Sequence, residues 1–151
     1  MKMTRGLLLT SLAVAVAGCA NESGARMGLF SATAPVIAML HDDLFTGTAT
    51  GYMDRTGTIE MASTVNESLR CMGSFRYTGA KIGVGHVTCN DGTISDVQFN
   101  GLSALSGYGI GSTSRGALTF TFGLTPEEAT KYLSLPKGKA IEKKDNKLKI
   151  V

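Results

Sequence analysis

Residues 71–99 read CMGSFRYTGAKIGVGHVTCNDGTISDVQF, and this stretch decides the fold. Apolar or small residues alternate with polar ones, the pattern of strands with one buried face. Asn90-Asp91-Gly92 interrupts the alternation as a three-residue hairpin loop, its glycine placed where such loops turn left-handed. Cys89 then pairs with Thr93, Val87 with Ser95 and Gly85 with Val97. A second turn around Ala80 sets Cys71 opposite Cys89, Gly73 opposite Val87 and Phe75 opposite Gly85. Directly opposed residues on antiparallel strands lie about 4.5–5.5 Å apart, within disulfide reach. The same register lays the Phe75 ring over Gly85 and, one repeat on, Phe99 over Gly109, where an aromatic covers bare backbone.

Moving outward, an offset of 24 residues maps Phe75 onto Phe99, Gly83 and Gly85 onto Gly107 and Gly109, and Gly92 onto Gly116. A weaker first copy begins at Phe45-Thr46-Gly47 and turns at Asp54-Arg55-Thr56-Gly57. The units Cys71-x-Gly73-x-Phe75, Gly83-x-Gly85, Gly92 and Ser95-x-Val97-x-Phe99, Gly107-x-Gly109, Gly116 resemble degenerate MORN repeats. Cys71 and Ser95 replace the first aromatic of that pattern, and Val97 its second glycine. The resemblance implies a scaffold or a membrane-associated interaction surface. The fold expected is mainly β: an antiparallel repeated β-hairpin sheet with a short C-terminal helix packed on one face. The alternative is a small closed β-barrel.

The flanks complete one domain over 34–151, with the repeat inside 71–122. Pro35 to Phe45 is either a short helix opened by Thr33 and Pro35 or an edge strand, because periodicity does not decide over so short a run. Leu118, Phe120 and Phe122 keep one face apolar. Thr125-Pro126-Glu127-Glu128 is a helix start with a capping box, predicting a helix over about 126–134 ended by Pro136. Its stripe of Ala129, Tyr132 and Leu133 is expected to lie as a lid over Phe120, Phe122, Tyr108 and Ile110. A final hairpin is expected from Ala140-Ile141 to Leu148-Lys149-Ile150-Val151, turning at Asp145-Asn146.

The N-terminus carries a different message. Lys2 and Arg5 precede an apolar run from Leu7 to Ala17, about the length of a signal-peptide core and too short to span a bilayer as a helix. It ends Val16-Ala17-Gly18-Cys19, which resembles the bacterial lipobox. Residues 1–18 are therefore expected to be a lipoprotein signal peptide, with diacylglycerol on Cys19 and palmitate-like acylation of its amine. Residues 19–33 form a flexible tether. Ala20 in place of aspartate implies the outer membrane, with the domain lipid-anchored and facing the periplasm. An ordinary secretory leader and a lone anchoring helix are the competing readings.

Of the remaining chemistry, little points to catalysis. The charge of +3 includes Lys2 and Arg5, which leave with the leader, so no nucleic-acid partner is expected. Cys71 and Cys89, exported to an oxidising compartment, are expected to pair. No cofactor and no metal are expected, since His86 alone lies near those cysteines. The glycines at 83, 85, 107, 109 and 111 lie in β pattern without the helix a phosphate loop requires. His41-Asp42-Asp43 reads as a solvated patch. The six lysines from Lys137 to Lys149 read as charge guarding a soluble edge. The function expected is non-enzymatic, binding an envelope protein or a cell-wall component through the face bearing Met72, Arg76, His86, Gln98 and Tyr108. The alternatives are a lysozyme inhibitor inserting a Ser106-Gly107-Tyr108 loop and a hydrolase using His86 with Asp91 or Asp96 and Ser74 or Ser95.

Overall fold

The computed structural model describes residues 26–27 and 30–151; the leader, Cys19 and most of the expected tether lie outside the described residues. Strands β2 (Ser31–Leu40), β3 (Asp43–Tyr52), β4 (Thr56–Ser63), β5 (Arg70–Tyr77), β6 (Ile82–Cys89), β7 (Ile94–Ser103), β8 (Ser106–Thr113) and β9 (Gly116–Phe122) pair in sequence order. β9 returns to β2, Val36–Leu40 lying against Leu118–Phe122, so the sheet closes into an eight-stranded antiparallel barrel. Of the two expected forms, the chain takes the closed one, which leaves no wall strand with an unpaired edge. A two-residue strand β1 (Arg26–Met27) pairs with Ala32 and Thr33 at the start of β2. Ser31–Thr33 therefore belongs to the wall and not to the tether.

The register is the one the cysteines and Asn90-Asp91-Gly92 predict. Cys71 faces Cys89 and is bonded to it, Gly73 faces Val87, Phe75 faces Gly85, and Phe99 faces Gly109. The Cys89 N–H donates to the Thr93 carbonyl at 2.8 Å, and Gly92 has φ +89°. The rings differ from expectation in which glycine they cover. Each of the four phenylalanines on β5, β7 and β9 has a glycine beside it on the preceding strand, and its ring lies there. Phe75 covers Gly57, Phe99 covers Gly83, Phe120 covers Gly109 and Phe122 covers Gly107, where a β-carbon would collide with the ring. Strands tilted around a closing barrel offset opposed side chains in one direction, and all four rings share that lean.

Inside, large and small residues alternate to fill a narrow lumen. Phe45, Val97, Phe99, Phe120 and the Cys71–Cys89 bridge are buried there, with Phe75, Tyr77 and Phe122 at one end. Those rings meet edge to face, Tyr77 to Phe99 at 5.0 Å and Phe99 to Phe122 at 6.0 Å between centroids. Only about 40 Å³ remains open among them.

β2 is a wall strand, neither helix nor edge. Val36, Ala38 and Leu40 face the lumen while Ile37 and Met39 face outward, and all five are buried. Pro35 lies one residue outside the stretch paired with β9, where its missing N–H leaves no ladder bond unmade on that side. Outside, Ile37, Met39 and Leu44 are covered by the C-terminal segment: helix α1 (Pro126–Ala129) and the hairpin β10 (Ile141–Lys144) and β11 (Lys147–Ile150), through Ala129, Leu133 and Ile141. The hairpin turns at Asp145 and Asn146 as expected, both left-handed at φ 52° and 60°.

This lid departs from the expected one in place and length. Phe120 and Phe122 face the lumen, and Ile110 is exposed; of the four residues expected beneath it, Tyr108 is engaged, stacked on Tyr132 at 4.5 Å. The capping box forms, the Glu128 N–H donating to Thr125 Oγ1 at 3.3 Å and the Thr125 N–H to Glu128 Oε2 at 2.9 Å. The helix nevertheless stops after one turn. Thr130 Oγ1 donates back to the Pro126 carbonyl at 3.0 Å, and the Ser134 N–H turns to the barrel, donating to Thr119 Oγ1 at 3.0 Å.

Candidate functional site

The lid divides the outer wall. On the β2, β3 and β9 side apolar residues are covered. On the β5 to β8 side they are bare. Alternation sends Cys71, Gly73, Phe75 and Tyr77 inward and Met72, Ser74 and Arg76 outward, and the neighbouring strands follow in register. Three cross-strand rows result. Met72 stands beside Thr88 and Ile94; Ser74 beside His86, Asp96 and Ser112; Arg76 beside Val84, Gln98 and Ile110. Met72, Ile94 and Ile110 keep 62, 54 and 61% of their surface exposed. The Ser74 and Arg76 rows line a shallow depression of about 460 Å³, floored by Gly85 where no side chain fills the wall.

Four of the five residues expected on a binding face, Met72, Arg76, His86 and Gln98, thus share one continuous surface. Tyr108 also points outward, on β8, but its ring is occupied by Tyr132 at the margin of the lid. The expectation omitted Ile94, Ile110, Val84 and Ser74, although the same alternation and register place them; counting outward from Met72 along each row finds them all.

The polar centre of this wall has limited chemistry. His86 Nδ1 lies 2.8 Å from Asp96 Oδ1, and its Nε2 lies 3.5 Å from Thr88 Oγ1. Both His86 and Asp96 are exposed. Ser74 stands across from His86 on β5, yet no hydrogen bond joins them among the described residues. Ser95 faces the lumen and donates to the Ser112 carbonyl at 3.1 Å, on the opposite face from His86. Asp91 lies in the β6–β7 turn, where it accepts from the Thr93 N–H at 3.0 Å and pairs with Arg115 at 3.3 Å. The backbone N–H groups around His86 are engaged in the ladders to β5 and β7, leaving none aimed at a developing oxyanion.

The other expected features fall elsewhere. Ser106-Gly107-Tyr108 is not a loop but the first three residues of β8, with Gly107 beneath the Phe122 ring. His41 occupies the β2–β3 turn at φ 57°, and Asp43 accepts from Ser63 Oγ at 2.8 Å. Lys147 lies 3.4 Å from Glu67, linking the lid hairpin to the loop before β5.

A second surface lies at the end of the barrel where β2 begins. Phe30, Ser31, Tyr52, Met53 and Leu105 rim an apolar mouth of about 360 Å³ whose floor is Phe75, Tyr77 and Phe122. Arg55, at the β3–β4 turn, donates to the Gly79 carbonyl of the β5–β6 turn and lies 5.1 Å above the Tyr77 ring. Comparison with protein-family models, with curated proteins and with solved structures finds no match to this chain.

Proposed function

We propose that this chain is a bacterial lipoprotein, cut before Cys19 and lipid-anchored in the cell envelope, that works without catalysis by binding a protein through the β5–β8 wall. The observation that carries the binding reading is the division of the outer surface. The chain covers Ile37, Met39 and Leu44 with its own C-terminus and leaves Met72, Ile94 and Ile110 bare around Arg76, His86 and Gln98. Apolar residues around a few fixed polar groups are what protein interfaces present. The leader and the Val16-Ala17-Gly18-Cys19 motif support export and anchoring. An exposed His86–Asp96 pair, with no nucleophile bonded to it among the described residues, supports binding over hydrolysis. The inhibitor reading loses its inserting loop to β8.

Two measurements test this. Intact mass of the membrane-extracted protein is expected to show diacylglycerol on Cys19, absent from Cys19→Ala; an unmodified cysteine overturns the anchoring. A photocrosslinking residue at Gln98 in intact cells is expected to give one discrete protein adduct, lost in Met72→Asp/Ile110→Asp. Adducts equal in yield from Gln98 and from a position on the lid hairpin, such as Lys143, would overturn the assignment of the wall.

A further inference from the structure

We infer that the apolar mouth of the barrel, rimmed by Phe30, Tyr52 and Met53, seats on the lipid surface to which the chain is anchored, so that the barrel stands on the bilayer with the β5–β8 wall turned sideways. This rests on the anchoring of Cys19 proposed above and adds an orientation to it.

The rim is apolar where nothing in the fold requires it. Phe30 and Met53 keep 68 and 75% of their surface exposed, and Tyr52 beside them is exposed as well. Turn tips are ordinarily polar, and the opposite end of the barrel has His41-Asp42, Asn90-Asp91-Gly92 and Ser114-Arg115 at its tight turns, with Val65 of the longer β4–β5 loop as a single exposed apolar residue there. Below the rim the barrel is no ligand vessel. The aromatic rings leave about 40 Å³, against the roughly 300–1,000 Å³ of sites that enclose a small molecule. What the mouth offers, about 360 Å³ between an exposed rim and an aromatic floor, is an apolar surface open to solvent.

The chain itself names that surface. β1 is paired to Ala32 and Thr33, at the mouth end of β2. Arg26 stands seven positions after Cys19, a span of at most about 25 Å when fully extended. The plane of the mouth is thereby within reach of a lipid on Cys19. Arg55 and Lys81 add cations to the same end, with Asp54 as the acidic exception. A tyrosine, a methionine and a phenylalanine beside basic residues is the composition that sits at a headgroup boundary.

The chain contains no tryptophan, so a single introduced one reports without background. Lipidated Met53→Trp and Phe30→Trp are reconstituted in vesicles of phosphatidylethanolamine and phosphatidylglycerol, with and without brominated acyl chains, beside Ile110→Trp on the wall. Emission at positions 53 and 30 is expected to fall several-fold in brominated vesicles and to shift to the blue, while position 110 stays unquenched. Equal, weak quenching at all three positions overturns the inference, and so does stronger quenching at 110. Shielding at 53 without quenching, together with a doubled mass in light scattering, gives the mouth to a second copy and overturns it too. Absence of lipid on Cys19 by mass overturns the anchoring reading and this one with it; lipid present with position 53 unquenched overturns this one alone.

Discussion

The two halves of the barrel wall are braced in opposite ways. The half built from β2, β3 and β9 is braced from outside, by a C-terminal segment packed over Ile37, Met39 and Leu44. The half built from β5 to β8 is left uncovered among the described residues, save for Tyr132 on Tyr108 at its margin, and is braced from inside, where the Cys71–Cys89 bridge ties β5 to β6 beneath Met72 and Thr88. An outward apolar residue means different things on the two sides. Under the lid it is core. On the bare wall it contributes little to stability and is free to contribute to binding.

The contrast breaks most sharply at a matched pair of methionines. Met39→Ala is expected to cost about 2–5 kcal/mol, because Met39 is buried between β2 and the lid. Met72→Ala is expected to change stability by no more than about 0.5 kcal/mol. Urea denaturation of both variants checks this, and equal losses would erase the distinction. Next in size, reduction of Cys71–Cys89 or its replacement by alanines is expected to cost about 2–4 kcal/mol, given the 18-residue separation of the cysteines. Hydrogen exchange should then rise first in β5 and β6, with the lid hairpin unaffected. Smaller still, Thr125→Ala removes one side of the capping box and is expected to cost about 1 kcal/mol, read as faster exchange of the Glu128 and Ala129 amides.

The smallest effect is set by pH. Hydrogen bonds from the Thr125 backbone and hydroxyl hold the Glu128 carboxyl below its ordinary value of 4.5. A carboxyl lowered in the fold contributes stability above its ordinary value and loses it as pH falls through the lowered one. Acid below about pH 4.5 should therefore loosen α1 and the Tyr108–Tyr132 stack, seen in near-ultraviolet circular dichroism, and Glu128→Gln should remove that dependence. The bare wall has its own lowered carboxyl at the β6–β7 turn, Asp91, held below its ordinary value of 3.8 by the Thr93 N–H.

How much of this was legible in the sequence follows from where contacts are local. The register of β5 to β8 was readable because a turn glycine, two cysteines and a periodic phenylalanine each fix the same alignment, and each acts between strands adjacent in the chain. β2 was not readable because Val36 to Leu40 is buried on both faces, which erases the alternation that marks a strand. Closure was hidden for a related reason: it joins residues at opposite ends of the domain, and no cysteine or glycine signal marks the seam. The lean of the rings onto Gly57 and Gly83 required strand tilt, which closure sets and pairing alone does not. For the candidate site, Met72, Arg76, His86 and Gln98 were legible as one face; that the lid spares this face became visible only with β2 placed under the other.

The seam between β2 and β9 has a consequence for biogenesis. A polypeptide made from its N-terminus presents Val36–Leu40 early, while the partners at Leu118–Phe122 and the covering Ala129, Leu133 and Ile141 arrive near the end. Through that interval the greasiest ribbon of the protein has an open flank and a naked back, the condition in which unfinished sheets recruit one another. Successful maturation of this small barrel thus hangs on how quickly its last thirty or so residues follow the first, and a holding chaperone would find its natural grip on β2.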